Sequence, residues 1–240
     1  MGNPYFQFKQ FTLHQNEQVF KLSTDSVLLG AWVQAIDRPM RILDIGTGTG
    51  ILALMMAQRF AQAEIEAVEM DDASVRCAAQ NFERSPWNNR LHLHHLPLQT
   101  FAKHFSASPY DLIVCNPPYF QNQYLPKSHQ KQQFKHTVSL SYEVLFYVVN
   151  TLLAHNGTFA LVIPSEMYSV VVFNAQMQNL HLWRKLSIRV RPHQQAKRVV
   201  LQFSKSSDIK LEEADLVIYD QRQGTQYSAD YIALTRDFYL

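Results

Sequence analysis

The fold of this chain is decided by the stretch Leu43–Ile51 (LDIGTGTGI), in which an apolar strand ends at three alternating glycines and a helix follows. Glycine has no Cβ atom, so the backbone can adopt left-handed conformations here and can approach a ligand closely. The N-terminus of the following helix presents unpaired N–H groups, which favour an anionic group. The stretch therefore predicts a nucleotide-like cofactor at the end of a parallel strand.

Strands and helices alternate from this turn onward. The pattern predicts strands at 41–46, 64–69, 91–96, 110–115 and 158–163, and helices at 50–60, 72–84, 99–104, 141–154 and 169–180. This alternation implies parallel pairing with right-handed crossovers, and therefore an α/β fold in which helices cover both faces of a mostly parallel twisted sheet. Two further runs, 185–191 and 198–203, predict an antiparallel C-terminal hairpin, and 216–219 predicts a small terminal element.

The first 36 residues precede this alternation. Short alternating runs at 5–13 and 19–22 predict a hairpin or two edge strands, and the polar residues 23–26 supply N-cap side chains for an apolar helix. We expect residues 1–36 to form an N-terminal flap that packs on the catalytic domain. Residues 37–240 would then form that domain together with a small C-terminal extension.

The composition excludes several classes of protein. Cys77 and Cys115 are the only cysteines, too few for a disulfide framework or a zinc cluster, so metal catalysis has no support. No apolar run approaches the roughly 20 residues of a membrane span, and the N-terminus lacks a signal-peptide pattern. We expect a cytoplasmic monomer that binds neither a metal nor a membrane.

Charge is distributed unevenly although the net charge is only +2. There is no acid from Leu112 to Tyr142 or from Met167 to Ser207, and acids gather in the last 33 residues. This segregation favours a positive face for a polyanion such as nucleic acid. An ordinary solvated surface would give the same pattern, so both interpretations stay open.

A second chemical motif, Asn116–Tyr119 (NPPY), follows the strand predicted at 110–115. The two prolines end the strand, and Pro117 holds Asn116 in an extended conformation at its carboxyl end. One amide oxygen and nearby backbone carbonyls can accept both hydrogens of an exocyclic amine, and an aromatic ring can stack on a flat heterocycle. The motif predicts a site for a planar amine. The alternative is a proline-rich turn with no ligand.

Two carboxylates narrow the class of cofactor. Glu69 ends the next predicted strand, where it can accept both ribose hydroxyls, and Asp44 can accept from an α-amino group directly or through water. The dinucleotide fingerprint would need a glycine at Ile51, and no Gly-Lys-Ser/Thr follows as a phosphate-binding loop requires. S-adenosylmethionine fits better, because it carries a ribose and an amino acid without a pyrophosphate. A glycine turn used only for tight packing is the alternative.

The loop Asp44–Gly50 (DIGTGTG), Glu69 and the NPPY motif together resemble the class I S-adenosylmethionine-dependent methyltransferases that modify exocyclic or amide nitrogens. The chain is similar over nearly its whole length to the bacterial tRNA(Val) (adenine-37-N6)-methyltransferase family, on Phe8–Phe11 (FKQF), Thr24–Trp32 (TDSVLLGAW) and Asp237–Leu240 (DFYL). The resemblance implies a Rossmann-like methyltransferase fold, S-adenosyl-L-methionine as cofactor and a tRNA as substrate. The implied reaction is methylation of N6 of adenosine 37 in the anticodon loop.

Residue chemistry and resemblance together define a candidate site. Holding the target amine is assigned to Asn116, Pro117 and Tyr119. Cofactor contacts are assigned to Thr24, Asp25, Asp44, Gly46, Gly48, Gly50, Glu69 and Asn116. RNA contacts are assigned to Phe120, Lys127, Lys131, Lys135, His136, Arg189, Arg191, Lys197 and Arg198.

The region after the third predicted strand departs from the family pattern, which often has an acid there for the cofactor's adenine amine. This chain has Leu98 and Gln99, so the backbone of Leu98 or the amide of Gln99 would substitute. Of the preceding histidines, 92 and 94 share one face of the strand and 95 lies on the other, and no fourth metal ligand is evident. We therefore interpret them as part of a plain strand and loop.

Three other functions stay open at this point. The NPPY motif is shared with methyltransferases that modify the glutamine of release factors at N5, and with DNA adenine methyltransferases. A non-catalytic RNA-binding protein that kept the fold is the third. Of these, the glutamine methyltransferase is the nearest competitor, although it would not need long acid-free surfaces.

Overall fold

The computed structural model describes residues 3–15, 19, 22–105, 108–117, 141–221 and 223–240. Its strands in these ranges are β1 (Tyr5–Gln7), β2 (Thr12–His14), β3 (Arg41–Ile45), β4 (Glu64–Glu69), β5 (Leu91–His95), β6 (Tyr110–Cys115), β7 (Leu153–Pro164), β8 (His181–Arg189), β9 (Arg198–Ser204) and β10 (Glu212–Val217). Its helices there are α1 (Thr24–Trp32), α2 (Ile51–Arg59), α3 (Asp72–Glu83), α4 (Leu98–Phe105), α5 (Tyr142–Leu152), α6 (Tyr168–Met177) and α7 (Ala229–Thr235).

The described strands β3 to β10 form one sheet in the order β10-β8-β9-β7-β6-β3-β4-β5. Only β9 pairs antiparallel with its neighbours, β7 and β8, and the other pairs are parallel. The predicted fold is therefore confirmed, including the antiparallel C-terminal hairpin. The predicted terminal element is a full edge strand, β10, which pairs parallel with β8 over six residues.

Some predicted boundaries were wrong. The helix expected at 141–154 ends at Leu152, and β7 begins at Leu153 rather than at 158. Tyr110 of β6 pairs with Leu153, and the register then shifts so that Leu112 pairs with Thr158. A Cβ atom at Gly157 would lie 2.8 Å from the Tyr110 carbonyl oxygen, so glycine allows the two strands to approach closely inside this irregularity. The helix expected at 169–180 ends at Met177.

The two faces of the sheet carry separate hydrophobic clusters. One joins α2 to the N-terminal hairpin and α1 through buried side chains such as Phe8, Leu13 and Leu28. The other lies under α4, α5 and α6, where Phe101, Phe146 and Val171 are buried. The N-terminal residues thus belong to the main core, and the segment boundary at residue 36 stays a prediction. The predicted strand at 19–22 falls partly outside the described residues, and its described members Val19 and Leu22 are not in a strand.

Strand direction places the candidate site. The carboxyl ends of the parallel strands meet at one edge of the sheet, where ligands bind in open α/β folds. Because β9 runs the other way, its first residue Arg198 lies at this same edge, opposite Pro164 at the end of β7. None of the helices in the described part of the chain is long and apolar enough to cross a membrane.

Candidate active site

The three glycines after β3 all have left-handed φ angles, 68° at Gly46, 57° at Gly48 and 85° at Gly50. A Cβ atom at Gly46 or Gly48 would meet no described atom within 4 Å, so the backbone there borders open space. A Cβ atom at Gly50 would lie 2.5 Å from the ring of Phe82 in α3. Gly46 and Gly48 therefore leave room for a ligand, whereas Gly50 allows the turn to pack against α3.

Asp44 lies beneath this loop and is fully buried. Its Oδ2 accepts hydrogen bonds from Thr47 Oγ1 at 2.5 Å and from the Ala53 amide at 3.1 Å. Its Oδ1 is buried and accepts no hydrogen bond from a described residue. Burial raises the pKa of Asp44 to about 7, with a smaller contribution from the charge of Glu69, against the two hydrogen bonds. A cofactor donor or a water could satisfy the unpaired oxygen.

Glu69 ends β4 and is oriented by backbone donors. Its Oε2 accepts from the Gly48 amide at 3.0 Å, and its Oε1 accepts from the amides of Met70 at 2.8 Å and Asp71 at 3.0 Å. A carboxylate has about four acceptor positions, and the three backbone amides occupy three of them, so one position on Oε2 is left for a hydroxyl donor. The contact of Glu69 with both ribose hydroxyls therefore stays a prediction, and the second hydroxyl would have to share an oxygen with a backbone amide.

Strand register brings the second motif beside the first. Ile45 of β3 pairs with Cys115 of β6 and with Val68 of β4, so the residues that follow them, Gly46, Asn116 and Glu69, leave neighbouring strands side by side. Asn116 is partly buried, and its Nδ2 donates to Ser26 Oγ of α1 at 2.8 Å. The sequence predicted the meeting of the glycine loop with Asn116, but not the contact with Ser26.

Comparison with known proteins agrees with this geometry. Residues 11–186 match the model of the methyltransferase small domain. The chain is 39% identical over 240 residues to a tRNA1(Val) (adenine(37)-N6)-methyltransferase of Bacteroides fragilis, covering 100% of this chain and 99% of the relative. It is 38% identical over 235 residues to the protein of that name from Flavobacterium psychrophilum, covering 98% and 99%. This chain belongs to the methyltransferase small domain family.

Solved structures support the fold of this methyltransferase. A predicted O-methyltransferase from Agrobacterium tumefaciens aligns with a TM-score of 0.71 and 16% identity, over 89% of this chain and 96% of that chain. A methyltransferase subunit of a type I restriction-modification system from Streptococcus thermophilus aligns with a TM-score of 0.62 and 14% identity, over 90% and 51%. At such identities the likeness concerns the fold alone.

The first turn of α1 contacts the edge of the sheet where the parallel strands of the methyltransferase end. Asp25, assigned to the cofactor from sequence, accepts a hydrogen bond at 2.9 Å from Nε of Arg198, assigned to RNA. Thr24 is exposed. The structure therefore brings Asp25 and Arg198 together as an ion pair, and their contacts with cofactor or RNA stay predictions.

The other predicted RNA residues of the C-terminal strands have different surroundings. Arg189 forms an ion pair with Asp215 at 3.0 Å. Arg191 donates to the carbonyl oxygens of Gln221 and Gly224 and lies over the ring of Tyr219. Lys197 is exposed.

Acids of β10 compensate the basic strand β8. Arg184 pairs with Glu212 at 3.1 Å and Lys185 with Glu213 at 2.8 Å, beside the pair formed by Arg189. The stretch from Met167 to Ser207 contains no acid, but acids of β10 compensate three of its positive charges. The sequence did not indicate this, because the parallel pairing of β8 with β10 joins residues 28 positions apart.

The remaining predicted residues give a mixed result. Tyr119, Phe120, Lys127, Lys131, Lys135 and His136 lie outside the described residues. Leu98 and Gln99 begin α4, so their backbone amides are in the first turn of a helix.

The three histidines each contact an acid, His92 with Glu64, His94 with Glu66 and His95 with Asp72. No group of three metal-ligating side chains occurs in the part of the chain that the structure describes.

Proposed function

We propose that this protein is an S-adenosylmethionine-dependent methyltransferase that acts on the exocyclic N6 amine of adenosine 37 in tRNA1(Val). The observation that carries the proposal is the register of β3 with β6, which puts the glycine loop and Asn116 side by side. The full-length similarity to proteins of that activity supports this choice of substrate.

The residues around the glycine loop suit the cofactor. Gly46 and Gly48 border open space, Asp44 Oδ1 lacks a described donor, and Glu69 is held at the strand end. Glu69, together with Asp44 in its ionised form, favours a ligand that carries positive charge. The cofactor supplies a methyl group that its sulfonium already activates. The chain itself has only to bind and orient the reactants, which in favourable intramolecular cases contributes about 7–11 kcal/mol.

Asn116 and Pro117 would act on the target amine. The N6 lone pair is delocalised into the adenine ring, so the amine is a poor nucleophile until fixed acceptors hold its hydrogens. Asn116 Oδ1 and the Pro117 carbonyl oxygen supply two acceptors, which also stabilise the positive charge that develops on nitrogen. Cys115 takes no part, because burial raises the pKa of its thiol well above the ordinary range.

The RNA would reach this site from a loop, where a base leaves its stack at the lowest cost. Exposed Lys197 at the same edge would contact a phosphate, and Arg198 lies beside it. The assignments of Tyr119, Phe120 and the basic residues from 127 to 136 remain part of the proposal. So do a cytoplasmic location and a monomeric state. The two buried cysteines, which form no disulfide, suit a reducing compartment.

Labelled S-adenosylmethionine incubated with separate pools of tRNA, rRNA, DNA and release factor tests the proposal. We expect label in tRNA, as N6-methyladenosine. Asn116→Ala should lower the transfer rate about 100-fold or more, by analogy with the loss of a fixed transition-state donor, while cofactor binding by calorimetry persists. Asn174→Ala, on α6, is the matched control. Label in release factor instead of tRNA, or an unchanged rate for Asn116→Ala, would refute the proposal.

A further inference from the structure

Asn116 is hydrogen-bonded to a residue that is distant from it in the sequence. Its Nδ2 lies 2.8 Å from Oγ of Ser26, which is 90 positions earlier in the chain. Ser26 is 6% exposed and belongs to the first turn of α1, which Ser23 caps. The Ser26 end of this bond is therefore shielded from water, where a hydrogen bond is electrostatically stronger, while Asn116 is partly buried.

The hydroxyl of Ser26 has a second neighbour, the hydroxyl of Ser23, and either of the two can donate to the other. Ser23 Oγ lies 3.2 Å away and also accepts from the Ser26 amide at 3.2 Å. When the Ser26 hydroxyl donates its proton to Ser23 Oγ, its own oxygen can accept from Asn116 Nδ2. The three side chains then form a directed series of hydrogen bonds from Asn116 to Ser26 to Ser23.

The direction matters because a carboxamide has two chemically different ends. Its oxygen accepts hydrogen bonds and its nitrogen donates them, and the two ends have nearly the same shape. If the amide of Asn116 were rotated by half a turn, its NH2 group would face the NH2 group of the target base. Two donors cannot bond to each other, so only one of the two orientations supports transfer.

We propose that Ser26 is a positioning residue for methyl transfer, which anchors Asn116 Nδ2 and so presents Oδ1 to the amine. This inference rests on the proposed function. The ion pair of Asp25 with Arg198 supports it, because the first turn of α1 is thereby attached to β9 as well as to Asn116. The N-terminal helix is then part of the catalytic apparatus rather than a separate cover.

Ser26→Ala tests the role by rate. The substitution keeps a good helix former in α1 but removes the acceptor, so the amide can take both orientations. We expect the single-turnover rate to fall about tenfold, in line with the loss of one hydrogen bond, while the dissociation constant for S-adenosylmethionine stays the same. The matched control is Ser85→Ala, which also removes a buried hydroxyl, one bonded to the Phe82 carbonyl oxygen.

A spectroscopic measurement separates positioning from a general structural effect. The side-chain amide signal of Asn116 in a nitrogen–proton correlation spectrum is assigned by its loss in Asn116→Ala. We expect Ser26→Ala to shift this signal and Ser85→Ala to leave it in place. An unshifted signal in Ser26→Ala, or a rate equal to that of Ser85→Ala, would overturn the inference. The spectrum needs no RNA, so a missing bond refutes the role of Ser26 alone, whereas wild-type protein that methylates no tRNA refutes the proposed function.

Discussion

The glycine loop and the ends of the C-terminal strands lie along one edge of the same sheet. Their polar contacts differ in how far apart the partners are in sequence and in how deeply they are buried. Around the loop, Asp44 is fully buried, and its hydrogen-bond partners Thr47 and Ala53 are 3 and 9 positions away. At the C-terminal strands, Arg189 and Asp215 are paired across β8 and β10, and their side chains are 37% and 57% exposed.

The difference in burial sets the energies. A buried carboxylate is expensive to ionise, which is why the pKa of Asp44 is raised, whereas an exposed ion pair contributes only about 0–1 kcal/mol. We therefore expect substitutions in the loop to change stability and cofactor binding. Substitutions at the C-terminal edge should mainly change how RNA binding depends on salt.

The largest effect is expected for Gly50→Ala. Its Cβ atom would overlap the ring of Phe82, and its φ of 85° strains any other residue. We expect the free energy of unfolding to fall by about 2–4 kcal/mol, from roughly 1 kcal/mol of backbone strain and 1–3 kcal/mol of overpacking. Urea denaturation measures this change.

Gly48→Ala separates the two causes, because it has the strained φ without the overlap. We expect it to cost only about 1 kcal/mol. Combining Gly50→Ala with Phe82→Leu should recover part of the loss. If Gly48→Ala and Gly50→Ala destabilise the protein equally, packing against α3 is not the reason for glycine at position 50.

An effect comparable in size to that of Gly50→Ala is expected from the pH dependence of Asp44. The folded-state pKa of about 7 lies above the unfolded value near 3.8. The unfolded chain therefore loses this proton first as the pH rises, and Asp44 lowers the free energy of unfolding between about pH 4 and 7. Within that window its contribution approaches 1.4 kcal/mol per pH unit.

Asp44→Asn removes this titration. We expect the difference in unfolding free energy between Asp44→Asn and wild type to grow from pH 4.5 to pH 7 in favour of the variant, and to level off above that. Urea denaturation at several pH values measures it. A difference that does not change with pH would contradict the raised pKa.

The smallest effect is expected for the basic residues of and between the C-terminal strands β8 and β9. Lys197→Ala should weaken tRNA binding and reduce the slope of log affinity against log salt by about 0.7, the value for one contact with single-stranded nucleic acid. Arg189→Ala should change the slope less, because Asp215 already compensates this charge. Filter binding at several salt concentrations compares them. An Arg189→Ala effect larger than that of Lys197→Ala would show that the ion pair opens to bind RNA.

Sequence reasoning succeeded where the cause lies within a few residues. Three alternating glycines predicted the left-handed turn after β3, and two prolines predicted the end of β6 at Cys115. It was wrong about the start of β7, because the pairing of Leu153 with Tyr110 is not encoded in the local pattern of either segment. It also missed the contact of Ser26 with Asn116, although Ser26 lies in the stretch Thr24–Trp32, since nothing near Ser26 indicates Asn116 as its partner.

By itself, the sequence determined the alternation of strands and helices, the glycine turn and the position of Asn116 at a strand end. These depend on backbone torsions and hydrophobic periodicity, which act over short distances along the chain. Only the tertiary structure decided that Ser26 holds Asn116 and that acids of β10 face the cations of β8. Such contacts depend on strand order and register, which the packing of the whole core selects.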